Sequence, residues 1–328
     1  MKWAASLLCG MAAVIAVPLW MAPDEPSDLS ATFDASLLEN GVDPYLDARE
    51  VDVANLRDAA RKRVVWAGPP EARTEWAVVY LHGFSASSEE IRPVPDRVAA
   101  ALGANLYFAR LSGHGRDGAA MTEPRLPDWM ADVAEALAIG RTIGERVLVM
   151  GTSTGGTLAV LAAHDPGLSE GVAGIALVSP NFRVNSPAAT ILTWPGVRYW
   201  GPYVAGETRR FTPQNDGHGT YWTTEYPTVA LLPMAESVKA ARALPHRDIA
   251  LPALFIFADT DAVVDAGVTR QVAASWGGPV EIMRVDPAMT EPSAHLIAGD
   301  ILSPAMTAPV AERIADWASG LPERPGAD

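Results

Sequence analysis

The chain has 328 residues, of which 49% are hydrophobic and 20% charged, so it is long and apolar enough to bury a sizeable core. Its formal net charge of -14 would repel a phosphate backbone and an anionic membrane surface, which makes nucleic acid a poor partner. The single cysteine, Cys9, lies in an N-terminal apolar segment. This excludes a disulfide framework, a thiol nucleophile and a cysteine-based metal site from the folded body.

The N-terminal segment resembles a targeting sequence. Residues 3–22 are almost wholly apolar, follow Lys2 and precede a Pro- and Asp-rich stretch, as in a secretory signal peptide or a signal anchor within residues 1–25. About 20 apolar residues can span a bilayer, whereas Val14-Ile15-Ala16 offers a cleavage site before Val17. Both interpretations predict a protein that works outside the cytoplasm, secreted, periplasmic or anchored to the membrane. A buried first helix is the alternative.

After a linker at residues 26–45, the body alternates between strand and helix patterns. The segment 51–65 has apolar residues at helical spacing and leads into a strand at 64–67. Short apolar runs then predict strands at 76–81, 105–111, 147–150, 172–178, 254–257 and 280–285. Helical patterns occupy 89–102, 128–143, 155–164, 234–243, 266–276 and 308–319. The alternation predicts an α/β fold with a mostly parallel, doubly wound sheet.

Residues 181–230 interrupt this alternation. Prolines become frequent there, and nine of the 24 aromatic residues lie between Asn181 and Tyr226. We interpret the segment as a cap insertion over the active-site end of the sheet, so that 46–180 and 231–322 form the core and 323–328 a tail. The cap aromatics could line an acyl-binding tunnel or form a small core of the cap itself. The residues concerned are Trp194, Tyr199, Trp200, Tyr203, Tyr221 and Trp222.

The segment Gly151-Thr152-Ser153-Thr154-Gly155 carries the strongest motif. A strand pattern runs directly into it, and the helical pattern TLAVLAAH follows. A nucleophile elbow needs this context, because its serine sits on a strained strand-to-helix turn and the residues two positions to either side must be small. Ser153 is therefore the predicted nucleophile, at a helix N-terminus that favours a developing oxyanion.

A second strand predicts where the oxyanion would be held. Residues 77–81 end in His82-Gly83-Phe84, the position from which this kind of fold takes one backbone donor. The N–H of Phe84 would act together with that of Thr154. We interpret His82 itself as structural.

A general base and an acid must follow the serine in the chain. Of the six histidines, His82 and His114 precede the serine and His164 ends the elbow helix. His218 lies in the cap and His246 precedes the strand that should carry the acid. This leaves His295 as the base. The strand pattern LFIF runs into Asp259-Thr260-Asp261. An acid there can fix the tautomer of the imidazole, and spacing alone leaves Asp259 and Asp261 as alternatives.

Together these segments resemble bacterial monoacylglycerol lipases and carboxylesterases of the α/β-hydrolase superfamily, within the broader serine aminopeptidase-like group. The matching stretches are LHGFSASSEEIRP, RLSGHGRDGAAM with Asp128-Trp129, GTSTGG, DTDAVV, and His295 with Asp300. They cover residues 76 to 302, and the cap is the least similar part. The resemblance implies the α/β-hydrolase fold and assigns the catalytic acid to Asp261, the Asp before x-V-V.

The chain departs from that pattern after the nucleophile, where the family usually has Met or Gln and this chain has Thr154. Only the backbone N–H of this residue serves the oxyanion, so the departure concerns the preference of the acyl pocket. A supporting role of Asp300 is open, and Gly113-His114-Gly115 is interpreted as a structural loop that bounds the pocket.

These residues predict a serine hydrolase that cleaves carboxylic esters through an acyl-enzyme on Ser153, with a small ester or lipid as substrate and without a metal or an organic cofactor. A serine peptidase or aminopeptidase is one alternative, and it would need an acidic site for the amine of the substrate. An acyltransferase and a membrane-tethered, non-enzymatic binding protein are the others. Candidates for the acidic site are Glu207, Asp216 and Glu225.

Overall fold

The computed structural model describes residues 22–322. Most of the predicted targeting segment, residues 1–21, and the tail 323–328 lie outside these residues, so location and membrane attachment stay predictions. Within residues 22–322, no helix combines the length and the apolar character needed to cross a membrane.

A seven-stranded sheet forms the centre of the described chain. The described residues form nine strands: β1 Arg63–Val65, β2 Thr74–Leu81, β3 Asn105–Phe108, β4 Gly144–Thr152, β5 Val172–Val178, β6 Thr208–Arg210, β7 Glu225–Pro227, β8 Ala253–Phe257 and β9 Val280–Arg284. The sheet order is β1-β3-β2-β4-β5-β8-β9, and only the edge strand β1 runs antiparallel to its neighbour. This confirms the predicted mostly parallel α/β sheet.

The central strands are apolar on both faces because helices cover the sheet on both sides. In β2, Ala77 and Val79 belong to one hydrophobic cluster, whereas Val78 and Tyr80 belong to the other, as the two-residue period of a strand requires. All four side chains are fully buried. The near-continuous apolar runs of the sequence therefore reflect two separate cores rather than one.

Ten α-helices are formed by the described residues. They are α1 Val42–Glu50, α2 Val94–Leu102, α3 Leu126–Ile143, α4 Thr154–His164, α5 Pro166–Ser169, α6 Val197–Ala205, α7 Asp216–Tyr221, α8 Leu232–Ala243, α9 Ala266–Ala274 and α10 Thr307–Ser319. Helices α3, α4, α8 and α9 contribute to the first cluster, and α2 and α10 to the second. Short 3-10 helices connect them at Ala35–Leu38, Asp58–Ala60, Ala120–Thr122, Pro187–Thr193, Thr228–Leu231, His246–Asp248, Pro287–Met289 and Pro304–Met306.

The predicted helix at 51–65 is wrong. That segment consists of turns, a 3-10 helix and β1, whereas the helix of this region, α1, lies upstream. The N-terminus of α1 is capped by Glu71, whose carboxylate accepts from the N–H groups of Val42 and Asp43 at 2.9 Å each. Since this cap comes from almost 30 residues away, no local pattern could reveal where the helix begins.

The segment predicted as the cap, residues 181–230, holds α6, α7 and the antiparallel pair β6–β7, which is separate from the main sheet. Arg57, which lies in the core, binds the C-terminal part of this cap segment. The guanidinium donates to the carbonyl of Thr220 at 2.9 Å and to the hydroxyl of Thr223 at 2.8 Å. The N–H of Thr223 in turn donates to the carbonyl of Ser85, so this segment is bonded to the loop after β2.

Candidate active site

Ser153 occupies the sharp turn between β4 and α4. Its backbone lies at φ 50 and ψ -113, a conformation that costs about 1–3 kcal/mol and persists only where the surroundings enforce it. Here the N–H of Ser153 donates to the carbonyl of Val178 at 2.9 Å, and its carbonyl accepts from the N–H of Asn181 at 3.1 Å. The end of β5 thus holds the serine in its strained turn.

The elbow leaves no room for side chains on its flanking glycines. A Cβ on Gly155 would lie 2.0 Å from the carbonyl oxygen of Leu81 in β2, and a Cβ on Gly151 would lie 2.7 Å from the carbonyl of Gly155. Such distances are far below van der Waals contact. The small residues that the motif requires are therefore demanded by the close approach of α4 to the ends of β2 and β4.

We expect Gly155→Ala to destabilise the protein by at least about 1–3 kcal/mol, the usual cost of overpacking, because the new methyl group would meet main chain that cannot yield. Gly68→Ala is the matched control, since a Cβ at Gly68 meets nothing within 4 Å. Thermal unfolding of both variants measures the difference. Equal melting temperatures for the two variants would contradict this account of the elbow.

The structure brings Ser153, His295 and Asp261 into one hydrogen-bonded line. Nε2 of His295 lies 3.1 Å from the Oγ of Ser153, and its Nδ1 lies 2.8 Å from Oδ2 of Asp261. The three residues are 8%, 9% and 5% exposed, in that order. Oδ1 of Asp261 accepts from the N–H groups of Val263 and Val264 at 2.8 and 2.9 Å, which orients the carboxylate toward the imidazole.

Asp259, the other candidate acid, faces two arginines instead of His295. Its carboxylate forms ion pairs with Arg270 and, at 3.6 Å, with Arg284, and its side chain is 43% exposed. Two residues apart in one turn, the two aspartates thus have opposite surroundings. Only Asp261 reaches His295.

The loop that carries His295 is organised by Glu291, which sequence reasoning missed. The buried carboxylate accepts from the N–H groups of Ser293 and His295 at 2.9 Å each and from Nε2 of Gln214 at 3.0 Å. Burial acts to raise the pKa of Glu291, but the hydrogen bonds outweigh it and the pKa lies below its usual value. Within residues 22–322, the exposed Asp300 forms one hydrogen bond, from its backbone N–H to the carbonyl of Arg92.

The two predicted oxyanion donors follow neighbouring strands. Phe84 follows β2 and Thr154 follows β4, and these neighbouring parallel strands pair at their ends through Leu81 and Gly151. Within residues 22–322, neither the N–H of Phe84 nor that of Thr154 donates a hydrogen bond to the chain. Thr154 is also the first residue of α4, so the helix dipole favours an anion there.

Two buried histidines support the loop that contains Phe84. Nδ1 of His82 lies 2.9 Å from the carbonyl of Gly83, and its Nε2 accepts from the N–H of Leu111 at 3.1 Å, which requires the neutral Nδ1–H tautomer. Burial lowers the pKa of His82 to about 4 and that of His114 well below its usual value. The ring of His114 packs edge-on against Phe84 at 5.7 Å. Both histidines are neutral at pH 7 and act through packing and orientation.

An apolar cavity of about 370 Å³, a volume typical of small-molecule sites, lies between the cap segment and the start of α8. Ser153, Asp261 and His295 do not line it; its nearest link to the elbow is Met234, whose sulfur is 3.3 Å from Nδ2 of Asn181, the residue whose N–H bonds the carbonyl of Ser153. Its apolar lining includes Val184, Ile191, Leu192, Val197, Trp200, Val204, Leu231 and Leu232. A second cavity of about 350 Å³ shares Met234 but is flanked by Arg183, Lys239 and Arg242.

The cap aromatics divide between three environments. Trp200 lines the first cavity, whereas Trp222 is buried with Ala86 and Leu296 in a small cluster against which Tyr221 packs. Three others are exposed, which neither a tunnel nor a cap core predicts: Trp194 (58%), Tyr199 (52%) and Tyr203 (87%).

A mostly parallel sheet with a serine elbow after β4, and with a histidine and an aspartate in line beside it, defines an α/β-hydrolase. The family model described as serine aminopeptidase, S33, matches residues 72–288. Because the match covers more than half of the chain, the protein belongs to this family, as the resemblance of its motifs predicted.

The chain is similar to a curated monoacylglycerol lipase and, in fold, to solved structures. The thermostable monoacylglycerol lipase of Bacillus sp. (strain H-257) is 29% identical over 197 residues, which are 58% of this chain and 72% of that protein. A solved structure described with LipS and LipT, two metagenome-derived lipolytic enzymes, has a TM-score of 0.63 at 21% identity and covers 80% of this chain and 99% of its own. A soluble variant of the monoglyceride lipase of Saccharomyces cerevisiae has a TM-score of 0.60 at 11% identity, covering 82% and 94%. The two structures show a shared fold.

Proposed function

We propose that this protein is a serine hydrolase that cleaves carboxylic esters of apolar acyl chains, such as medium-chain esters or monoacylglycerols, through an acyl-enzyme on Ser153. The observation that carries the proposal is the hydrogen-bonded line from Ser153 Oγ to His295 to Asp261, together with the backbone N–H groups of Phe84 and Thr154, which donate to no acceptor within residues 22–322. The sequence relative named a monoacylglycerol lipase supports the choice of an ester.

The proposed reaction has two steps. Nε2 of His295 takes the proton of Ser153 as its Oγ bonds to the ester carbonyl carbon, and the N–H groups of Phe84 and Thr154 hold the oxyanion. The bond to the alcohol then breaks, and the alcohol leaves with the proton from His295. Water, deprotonated by His295, attacks the acyl group, releases the acid and restores Ser153. Asp261 keeps the imidazole in the tautomer that both steps need.

The chemistry of the cap favours an ester over the N-terminus of a peptide. An aminopeptidase would need a carboxylate that faces the substrate amine, but none of the three candidates lines either cavity. Glu225 is exposed and paired with Arg210 at 2.6 Å, and Glu207 and Asp216 are exposed as well. The first cavity instead offers apolar surface, which suits a hydrocarbon chain.

A series of p-nitrophenyl esters from C2 to C16 tests the proposal on the purified full-length chain. Hydrolysis with an optimum at a medium chain length, together with labelling of Ser153 by a fluorophosphonate probe, is expected. A flat, near-zero response without labelling would favour a binding protein. Labelling combined with cleavage of aminoacyl p-nitroanilides instead of esters would favour the peptidase.

Filling the first cavity is expected to shorten the preferred acyl chain. Ile191 lines only the first cavity and its neighbour Thr190 only the second, so the two positions form a matched pair. We expect Ile191→Trp to lower the ratio of kcat/KM for the C12 ester to that for the C4 ester by about tenfold or more, since each lost methylene contact is worth about 1 kcal/mol or more. Thr190→Trp should leave this ratio unchanged. The opposite pattern would move the acyl chain to the second cavity.

A further inference from the structure

Glu90 is a buried carboxyl group in the turn that follows β2, and the proposed mechanism does not use it. Only 2% of the residue is exposed. The neighbouring Glu89 takes the nearby cations, Arg63 at 2.6 Å and Arg92 at 2.9 Å, whereas Glu90 forms no ion pair within residues 22–322. Burying a carboxyl group without a cation is costly unless hydrogen bonds compensate for the lost water.

The carboxyl group of Glu90 connects the oxyanion loop to the nucleophile elbow. Its Oε1 accepts from the N–H of Gly83 at 2.5 Å and from the hydroxyl of Tyr80 at 2.7 Å. The same hydroxyl lies 2.9 Å from Oγ1 of Thr152, the residue directly before Ser153. Because a phenol carries one hydrogen, Tyr80 donates to Glu90 while it accepts from Thr152.

These contacts fix the peptide that presents the N–H of Phe84. Glu90 binds the N–H of Gly83 on one side, and His82 binds the carbonyl of Gly83 on the other, at 2.9 Å. That carbonyl belongs to the same peptide group as the N–H of Phe84. A Cβ on Gly83 would lie 2.9 Å from Oε2 of Glu90 and 3.4 Å from the Cβ of Ser153, so the loop is packed between the carboxyl group and the nucleophile.

We propose that Glu90 is a positioning residue of the oxyanion hole, whose buried carboxyl group holds the turn at Gly83 against the elbow so that the N–H of Phe84 points to the developing oxyanion. The inference rests on the proposed function, because it needs an oxyanion to be formed at Ser153. Loss of this acceptor leaves the N–H of Gly83 unpaired and lets the turn at Gly83 and Phe84 rotate. The rate of ester hydrolysis then falls, although the N–H of Phe84 is still present.

Ionisation of Glu90 should make kcat depend on pH. Burial raises the pKa of Glu90 to about 8, although hydrogen bonds from Tyr80 and Gly83 act in the opposite direction. The groups around it stay neutral, since burial raises the pKa of Tyr80 well above its usual value and lowers that of His82 to about 4. From the segment after His295, Gly299 packs against the main chain of this turn, since a Cβ on Gly299 would lie 2.8 Å from the backbone oxygen of Glu90.

The direction of the pH effect follows from these neighbours. Below about pH 8 the carboxyl group keeps its proton and the site is uncharged at this point. Above it, a buried negative charge arises beside the place where the oxyanion forms, and like charges repel strongly in a poorly solvated site. The value of kcat should therefore fall as the pH rises above about 8.

The experiment compares Glu90→Gln and Glu90→Ala in the full-length chain, with Glu89→Gln as the control. Glutamine keeps the carbonyl oxygen that accepts from Gly83 and Tyr80 but cannot ionise. We expect Glu90→Ala to lower kcat by about 10- to 100-fold with little change in KM, less than the cost of deleting an oxyanion donor. Glu90→Gln should stay within about threefold of the wild type at pH 7 and lose the fall in kcat above pH 8.

Rates are divided by the concentration of sites that react with the fluorophosphonate probe, so that a variant that merely folds poorly is not mistaken for a slow one. A Glu90→Ala variant with wild-type kcat per reactive site, or a Glu90→Gln variant as slow as Glu90→Ala, would overturn the role of Glu90 while leaving the esterase intact. A wild-type chain that neither hydrolyses esters nor reacts with the probe would overturn the proposed function, and the role of Glu90 with it.

Discussion

Replacing Ser153 by alanine is expected to lower kcat for a p-nitrophenyl ester by about a millionfold, because the variant cannot form an acyl-enzyme. The remaining activity would come from direct attack of water on the ester, which the oxyanion donors and substrate binding still assist. Steady-state hydrolysis of the C8 ester, measured with the wild type and the variant purified in parallel, gives the ratio.

The Ser153→Ala variant should remain folded, since the substitution removes one hydroxyl and adds no atoms. Its melting temperature is the control, and we expect a change equivalent to less than about 1 kcal/mol. Activity within tenfold of the wild type, at an unchanged melting temperature, would show that Ser153 is not the nucleophile.

The second large effect is expected for Asp261→Asn, which should lower kcat by about 10⁴-fold. An asparagine amide can donate to Nδ1 of His295, which leaves the proton on Nε2. That nitrogen then cannot accept the proton of Ser153, although the geometry of 2.8 and 3.1 Å is retained. The shape of the side chain is almost unchanged, so the loss reports on the proton and not on packing.

Asp259→Asn is the matched control for Asp261→Asn. It makes the same chemical change two residues away, at a side chain that is 43% exposed and pairs with arginines. Hydrolysis by this variant should stay within about twofold of the wild type, as for most surface substitutions. A larger loss at Asp259 than at Asp261 would reverse the assignment of the acid.

The fold was largely predictable because its signals are local. Strands buried on both faces are short apolar runs, and the strand predicted at 172–178 coincides with β5. The elbow could be recognised for the same reason, since strand, serine and helix are contiguous and the glycines that permit their contact lie two residues away. The helix at α1 escaped prediction because its cap, Glu71, is supplied from a distant part of the chain.

The polar supports of the site were not predictable from spacing. Glu90 and Glu89 are adjacent and chemically identical, yet one is buried under the oxyanion loop and the other pairs with surface arginines. Glu291 stands four residues before His295, without a motif that separates it from a surface glutamate. The exposure of Trp194 and Tyr203 in the cap could not be predicted either, because aromatic content alone does not show which side chains face solvent.

The sequence by itself determined that this chain alternates strands and helices, that Ser153 stands on a strand-to-helix turn, and that His295 is the histidine in the right part of the chain. Each of these depends on residues close together along the chain or on their order. Spacing left Asp261 and Asp259 open and only the family resemblance preferred Asp261; the tertiary structure showed which of the two contacts His295, because that contact depends on where the loop of His295, 34 residues further on, meets the end of β8. Contacts between distant segments are set by the packing of the sheet and its helices, which local periodicity does not encode.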